Sequence, residues 1–336
     1  MEIQENISLK KYNTFNIDVA ARYFTSFSHV DELSDIRHLT SDIRHLIIGG
    51  GSNILFTKDF DGLVLKNEIK GIEKINEDDN YVYIKVGAGE NWHQFVMHCV
   101  NNNYAGVENL SLIPGNVGAS PMQNIGAYGV EIKDVFYELE AWHLKEKKII
   151  KFGLNECEFD YRDSVFKRKY KNEFVILNVT YRLNKKLSFN ISYGAIEQEL
   201  QKMNVNELSI KTISRAVINI RSSKLPDPLK TGNAGSFFKN PTVSNSKFEI
   251  LNSEFSNIVA YPQSNGSIKL AAGWLIEQCG WKGFRSGDAG CYDKQALVLV
   301  NYGNATGKEI FELSEKILQS VKQKFEVELE REVNIF

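Results

Sequence analysis

Apolar residues along this chain fall into stretches with two different rhythms. Runs rich in β-branched and aromatic residues read as strands at Leu46–Ile48, Tyr81–Val86, Phe136–Leu144, Lys148–Phe152, Glu173–Leu183 and Ser188–Ile191. Gln295–Asn301 reads as a buried strand. Spacings of three and four predict helices. In Trp92–Asn101 they place Trp92, Phe95, Val96, Cys99 and Val100 together. In Ile310–Phe325 they line up Ile310, Leu313, Ile317, Val321 and Phe325. Shorter helices are expected at Asp31–Leu39, Thr212–Ser222 and Lys269–Cys279. The closing residues, Glu326–Phe336, set Val327, Leu329, Val333 and Ile335 against Glu326, Glu328, Glu330 and Glu332, the alternation of a strand. Strands and helices interleave, which predicts a mixed α+β protein.

Between these elements lie segments rich in Gly, Ser, Asn and Pro. Gly49-Gly50-Gly51-Ser52-Asn53 follows a predicted strand, and Ile54-Leu55-Phe56 resumes the apolar run. Val107–Val130 is loop-rich with almost no charge, yet it carries Leu110, Leu112, Ile113, Val117 and Ile125. Disordered segments are polar and charged, so this one is expected to be an ordered backbone cradle. Lys224–Pro241 is read as a third loop. Within Ser34–Ile47 the motif SDIRHL occurs twice in succession, too few copies for a solenoid. Its His38 and His45 are read as surface positions.

Composition narrows the function classes. The chain has 336 residues, with 40 Lys+Arg against 42 Asp+Glu. That length predicts two or three domains, and the near-neutral balance disfavours partners that attract a basic excess, nucleic acid or an acidic membrane. No apolar run approaches the ~18 residues of a membrane helix. The first residues show neither a basic patch nor an apolar stretch, so no signal peptide is expected. Cys99, Cys157, Cys279 and Cys291 are far apart, as expected of reduced thiols in a cytoplasmic protein and not of a disulfide framework or zinc site. His93 and His98 are five apart, on different helix faces, and no metal site is expected.

Consecutive glycine N–H groups form a concave nest for phosphate oxygens, but a tight turn explains Gly49–Asn53 equally well. The context fits neither a Rossmann nor a Walker loop. Two separate small-residue loops in the amino-terminal half together suggest one large ligand with a diphosphate, such as a dinucleotide. In Tyr161-Arg162-Asp163-Ser164 the arginine offers a planar fork for a carboxylate or phosphate; a structural Arg–Asp pair is the alternative. Ser236, in GNAGSFFKNP, has no histidine downstream of His143 to act as a base, so a hydrolase triad is excluded. It is a turn or cap residue or a proton donor. Glu332 taken alone reads as part of a solvated edge.

Taken in order, the segments Asn13-Thr14-Phe15, GGGSN, VGAGENWH, LIPGNVGASPMQNIGAYG, YRDS, LPDP, GNAGSFFKNP, KLAAGWLI, QALVLVN and Glu332-Val333 resemble the UDP-N-acetylenolpyruvoylglucosamine reductase family over nearly the whole chain. The IGAYG loop and Ser192-Tyr193-Gly194 resemble the first of its two structural types. The resemblance implies an α+β chain: an FAD-binding domain of the vanillyl-alcohol-oxidase type in two subdomains, 1–67 and 68–212, a substrate domain at 213–325, and a strand at 326–336 returning to the active site. It implies FAD as bound cofactor, NADPH as electron donor and a UDP-sugar substrate, in a cytoplasmic monomer. Gly49, Gly51, Ser52 and Asn53 would lie on the FAD diphosphate. Pro114, Gly115, Gly118, Gln123, Asn124, Gly126 and Ala127 would line the rest of the cofactor.

By the same resemblance, hydride passes from NADPH through the flavin to the vinyl carbon of the substrate, and negative charge develops toward the substrate carboxylate. Arg162 is the matching clamp, Glu332 its partner and Ser236 the proton donor, within reach of a strongly basic enolate. Tyr193, Lys224, Asn240, Gln295, Tyr128 and Tyr161 match substrate-binding positions. After Glu332-Val333 some relatives carry an arginine that touches the cofactor; here the residue is Asn334. The competing expectations are a related FAD-dependent oxidase acting on another substrate, and a nucleotide-binding protein that kept the fold without activity.

Overall fold

A computed structural model describes residues 2–34, 43–192 and 194–336. The expected helix at Asp31–Leu39 and His38 fall largely or wholly on residues 35–42, outside the described residues, as does Tyr193. Chain density divides the protein into two compact units. One comprises Met1–Ile7, Ala21–Gly50 and Asp61–Ser223; the other comprises Ser8–Ala20, Gly51–Phe60 and Lys224–Phe336.

The first unit is built on a five-stranded antiparallel sheet, in the order Lys148–Gly153, Phe136–His143, Phe174–Asn184, Tyr81–Gly87 and Ile72–Glu77. The helix Trp92–Asn101 forms where the periodicity predicts it. It is capped by Asn91, whose side chain accepts from Gln94 N–H, and it buries Trp92, Phe95, Val96, Cys99 and Val100. Phe95 stacks on Tyr181 at 4.8 Å, and the Tyr181 hydroxyl shares a hydrogen bond with Ser120 Oγ at 2.7 Å. That bond ties the sheet's core to the loop-rich segment beside it. Within this unit His45 lies half-buried on the strand His45–Ile48, which pairs in parallel with Phe60–Asn67; it is not the surface residue expected.

The second unit has a sheet ordered Gly232–Ser236, Val298–Asn301, Ala289–Cys291 and Arg285–Ser286. Against it lies the helix Gly307–Phe325, which buries the predicted stripe of Ile310, Leu313, Ile317, Val321 and Phe325. This helix starts three residues earlier than the apolar spacing implies. Thr306 and Glu309 form a capping box that satisfies its first N–H groups.

Several expectations change. Gly232–Ser236 is a strand inside the segment read as a loop, although its small residues have low strand propensity. Pairing with Val298–Asn301 imposes the extended form, and Gly232 packs against the Phe15 carbonyl where no side chain fits. Lys269–Cys279 splits. Ile268–Leu270 is a strand between Thr242–Val243 and Ala260–Pro262, and the helix is only Ala272–Gln278. Ser188–Ile191 forms no strand; the Asn190 carbonyl accepts from the Asn109 side chain. The adjacent helix Gly194–Lys202 is not anticipated by the sequence reading. In Glu326–Phe336 the alternation sets burial, but pairing of the strand type is confined to Arg331 and Asn334–Ile335. The four cysteines lie apart; Cys99, Cys157 and Cys291 are buried, and burial pushes the Cys157 and Cys291 thiols up to about 12.

Gly307 begins its helix so close to the Phe56 carbonyl that a methyl group there has no room. Alanine ordinarily stabilises a helix relative to glycine by about 1 kcal/mol. Gly307→Ala is expected to reverse that sign and cost about 2 kcal/mol, because the new methyl overpacks a backbone contact. The check is thermal unfolding of the variant beside wild type; an unchanged or raised Tm contradicts the contact.

Candidate active site

The site residues divide between the two units. In the first, the strand His45–Ile48 runs out at Gly49 and Gly50, which lie against the second small-residue loop. A Cβ at Gly49 would stand 3.0 Å from Asn116 Cβ, and one at Gly50 3.0 Å from Gly115 Cα. The second loop is itself seated on residues 88–92. Gly115 C=O accepts from Trp92 N–H at 3.0 Å, Val117 N–H donates to Glu90 C=O at 2.8 Å, and Gly118 N–H donates to Ala88 C=O at 2.9 Å. A side chain at Gly118 would meet Ala88 Cβ at 2.6 Å. Two main-chain loops therefore pack directly on each other, with Pro114 exposed beside them.

The chain then turns through Gln123 and Asn124. Asn124 is fully buried, and its amide bonds Glu131 Oε2 at 2.9 Å, Asp160 C=O at 3.2 Å and Lys133 N–H at 3.2 Å. Its side chain is thus engaged by the protein. Gly126–Ala127 and Val130–Glu131 form a two-residue hairpin whose tip is Tyr128-Gly129, with φ +51° and +79°. Two successive left-handed residues are the signature of a type I′ turn, which ordinarily begins with Asn or Asp. Here a tyrosine occupies the strained position. Asn109, itself buried, holds the hairpin by donating to the Tyr128 carbonyl at 3.0 Å and the Asn190 carbonyl at 2.8 Å. Asn190 in turn donates to Gly129 C=O at 3.0 Å.

Arg162 is also left-handed, with φ +54°. Its Nη2 donates to the Gly126 carbonyl at 2.7 Å, and the guanidinium lies 5.4 Å from the Tyr161 ring. The acidic neighbour expected as its structural partner, Asp163, pairs instead with Arg168. Arg221, on the helix Ile210–Lys224, is a residue that sequence reasoning missed. Its Nε donates to Leu112 C=O at 3.3 Å, and it hydrogen-bonds Tyr128. Burial pulls this guanidinium below its ordinary range, Tyr128 opposes that pull, and the positive charge of Arg162 adds to it. The run Arg221-Ser222-Ser223 looks like an exposed helix end, so no sequence signal marked it. Lys224 is exposed at the helix terminus.

In the second unit Gly51 has φ +62° and packs on Tyr12 and Asn13, while its carbonyl accepts from Thr14 N–H at 3.1 Å. Only glycine adopts that conformation in that space without strain. Asn53 Nδ2 donates to the Glu332 carbonyl at 3.3 Å. Asn334 bonds the Asn53 carbonyl twice, through its backbone N–H at 3.1 Å and its side chain at 3.0 Å. Ser236 ends the strand Gly232–Ser236. The next residue, Phe237, accepts from Glu332 N–H at 2.8 Å and donates to Leu297 C=O at 2.7 Å. Asn240 caps the helix Ala272–Gln278 by accepting from Ala272 N–H at 3.0 Å, and Gln295 Oε1 accepts from Leu297 N–H at 3.2 Å. A Cβ on Gly273, next to Ala272, would stand 2.9 Å from Gln295 Oε1. The unit therefore gathers Ser236, Asn240, Gln295 and Glu332 onto adjoining backbone. Glu332 is half-buried, unlike the exposed Glu326, Glu328 and Glu330.

These features fit a bound dinucleotide. Gly50, Gly51 and Ser52 donate no backbone hydrogen bond among the described residues, leaving N–H groups of the kind a diphosphate takes up. Among the described residues no cluster of His, Cys, Asp and Glu could hold a metal.

Comparison with known proteins agrees with the geometry. Residues 21–152 match the model of an FAD binding domain, and residues 227–336 match that of the UDP-N-acetylenolpyruvoylglucosamine reductase C-terminal domain. The reductase of that name from Amoebophilus asiaticus is 51% identical over 100% of this chain and 99% of its own length. That from Flavobacterium johnsoniae is 49% identical over 100% of both. The crystal structure of the Thermus caldophilus reductase superposes with TM-score 0.71 at 21% identity, covering 100% of this chain and 99% of that one, a likeness of fold.

Removing the Asn109 amide strands two carbonyls at the hairpin. Asn109→Ala is expected to destabilise the protein by about 2 kcal/mol. It should also raise amide hydrogen exchange at Tyr128–Val130 and Asn190–Ile191, while exchange in Phe174–Asn184 stays slow. Uniform loss of protection would show instead that Asn109 supports the whole unit.

Proposed function

The chain belongs to the UDP-N-acetylenolpyruvoylglucosamine reductase family and is an FAD-containing oxidoreductase. On that premise we propose that it reduces UDP-N-acetylenolpyruvoylglucosamine to UDP-N-acetylmuramate, with NADPH as electron donor, for peptidoglycan precursor synthesis. The observation that carries this reading is the backbone bond from Glu332 to Phe237, which sets a carboxylate and the Ser236 hydroxyl on neighbouring residues of one unit. In this reading the protein acts as a cytoplasmic monomer.

When bound, FAD would supply the hydride chemistry that links NADPH to the vinyl carbon of the substrate. The protein's own residues do the rest. Gly49 to Asn53 and Pro114 to Ala127 hold the cofactor largely through main chain, where small residues let the backbone approach. Arg162 binds the substrate carboxylate, toward which negative charge develops as hydride arrives. A preorganised cation at that point lowers the barrier because it need not reorient as the charge forms. Its left-handed backbone and its bond to Gly126 C=O fix the direction of the guanidinium in advance.

Ser236 donates a proton to the adjacent carbon. A hydroxyl is a weak acid, so this transfer requires the strongly basic enolate as acceptor and a hydroxyl held within reach. The extended strand and the Phe237–Leu297 bond restrict its backbone. Glu332 shares a hydrogen bond or proton with the substrate carboxylate. Lys224, Asn240, Gln295, Tyr128, Tyr161 and Tyr193 bind the UDP-sugar, Lys224 serving its diphosphate. With Asn240 Oδ1 engaged at the helix terminus, its Nδ2 is the group offered to substrate.

Rapid mixing that separates the two half-reactions tests these roles. Ser236→Ala should leave flavin reduction by NADPH intact and slow flavin reoxidation by the enolpyruvyl substrate by ~10²-fold or more; equal losses in both halves refute a proton donor. Arg162→Ala should slow that same second step by about 10²-fold, whereas unchanged turnover would make Arg162 a structural residue. Glu332→Gln keeps the shape and removes the charge. Wild-type reoxidation in that variant would return Glu332 to the role of a solvated edge.

A further inference from the structure

Leu112 stands two residues before Pro114 and has φ +60°, a left-handed conformation that a leucine adopts only when its surroundings hold it there. It is held on both sides. Its N–H donates to His93 Nδ1 at 3.0 Å, and its carbonyl accepts from Arg221 Nε at 3.3 Å. His93 sits on the first turn of Trp92–Asn101, and Arg221 on the last turn of Ile210–Lys224. The preceding residue, Ser111, is buried and shares a hydrogen bond with Ser214 Oγ on that second helix at 2.8 Å. One strained residue thus joins two helices immediately upstream of the Pro114–Gly115 turn.

An imidazole nitrogen accepts a hydrogen bond only while it carries no proton. We propose that His93 is a positioning residue for the cofactor: its unprotonated Nδ1 holds Leu112 left-handed and thereby fixes Pro114 and Gly115 in the form that retains FAD. The inference rests on the FAD reading of that loop. The bond from His93 is the one that pins the N–H side of the turn, and a proton at Nδ1 would set donor against donor.

The surroundings keep the nitrogen free. Burial lowers the proton affinity of His93, and the positive charge of Arg221, the charged group acting on it among the described residues, lowers it further. His98 lies on a different face of the same helix. Because folding weakens proton binding here, the native state favours the accepting form. The hold is complete above the ordinary imidazole range near 6.5 and fails as pH falls through the lower native value.

The experiment follows release of FAD from the purified, flavin-loaded protein, by the rise of flavin fluorescence after dilution, from about pH 5 to pH 8. Wild type should release FAD faster in acid. His93→Leu removes the acceptor and should release it about tenfold faster at neutral pH. His93→Asn offers an amide oxygen that does not titrate; it should match wild type at neutral pH and lose much of the acid acceleration. Adding Leu112→Gly to His93→Leu should restore slow release, since glycine needs no holding at positive φ. A general packing role for His93 predicts no such rescue. Wild-type release in His93→Leu, or an undiminished acid acceleration in His93→Asn, overturns the proposal; the second holds even if the leucine variant fails to fold. A wild-type protein that neither carries nor takes up FAD overturns the cofactor reading and this inference with it.

Discussion

The hydrogen bond from Glu332 N–H to Phe237 C=O is the contact that fixes the closing segment beside the strand that carries Ser236. Lys239 N–H reinforces it by donating to Glu330 C=O at 2.8 Å. Farther along, Asn334–Ile335 pairs in parallel with Ile54–Leu55, and Thr57 N–H donates to Phe336 C=O at 2.7 Å. Main-chain bonds on two sides, with Val327, Leu329 and Val333 buried, hold the segment 326–336 in place. The backbone of half-buried Glu332 is therefore held by main-chain pairing.

The first unit solves a different problem, the display of polar groups from a loop that packs tightly. Its means is backbone strain. Leu112, Asn124, Tyr128 and Arg162 all have positive φ, each costing about 1–3 kcal/mol that neighbouring bonds must offset. The offsets are identifiable: His93 and Arg221 at Leu112, three partners at the Asn124 side chain, Asn109 at Tyr128, and the Gly126 carbonyl at Arg162. Strain with such support gives a side chain one direction. In the proposed function Tyr128 and Arg162 are residues whose direction matters for binding.

Burial of Arg221 near Arg162 carries an electrostatic consequence. Desolvation pulls the Arg221 guanidinium below its ordinary range and the positive charge of Arg162 adds to that pull, while Tyr128 opposes it. In the proposed reaction, negative charge accumulating on the substrate would be favoured beside such groups.

Much was legible in the sequence. The periodicity of Trp92–Asn101 and Ile310–Phe325 sets which face each helix buries, because apolar burial at 3.6-residue spacing is a local property. The ordered series of small-residue motifs carried the family and its FAD, since glycines at close approaches leave a mark that single residues do not. What the chain order could not contain was long-range pairing. It did not show that Gly232–Ser236 is a strand, that Ser188–Ile191 is not, or that Asp163 belongs to Arg168. Arg221 and His93 were invisible as site residues because their meaning lies in the left-handed Leu112 between them, and a residue's φ is set by the partners that tertiary folding brings to its N–H and carbonyl.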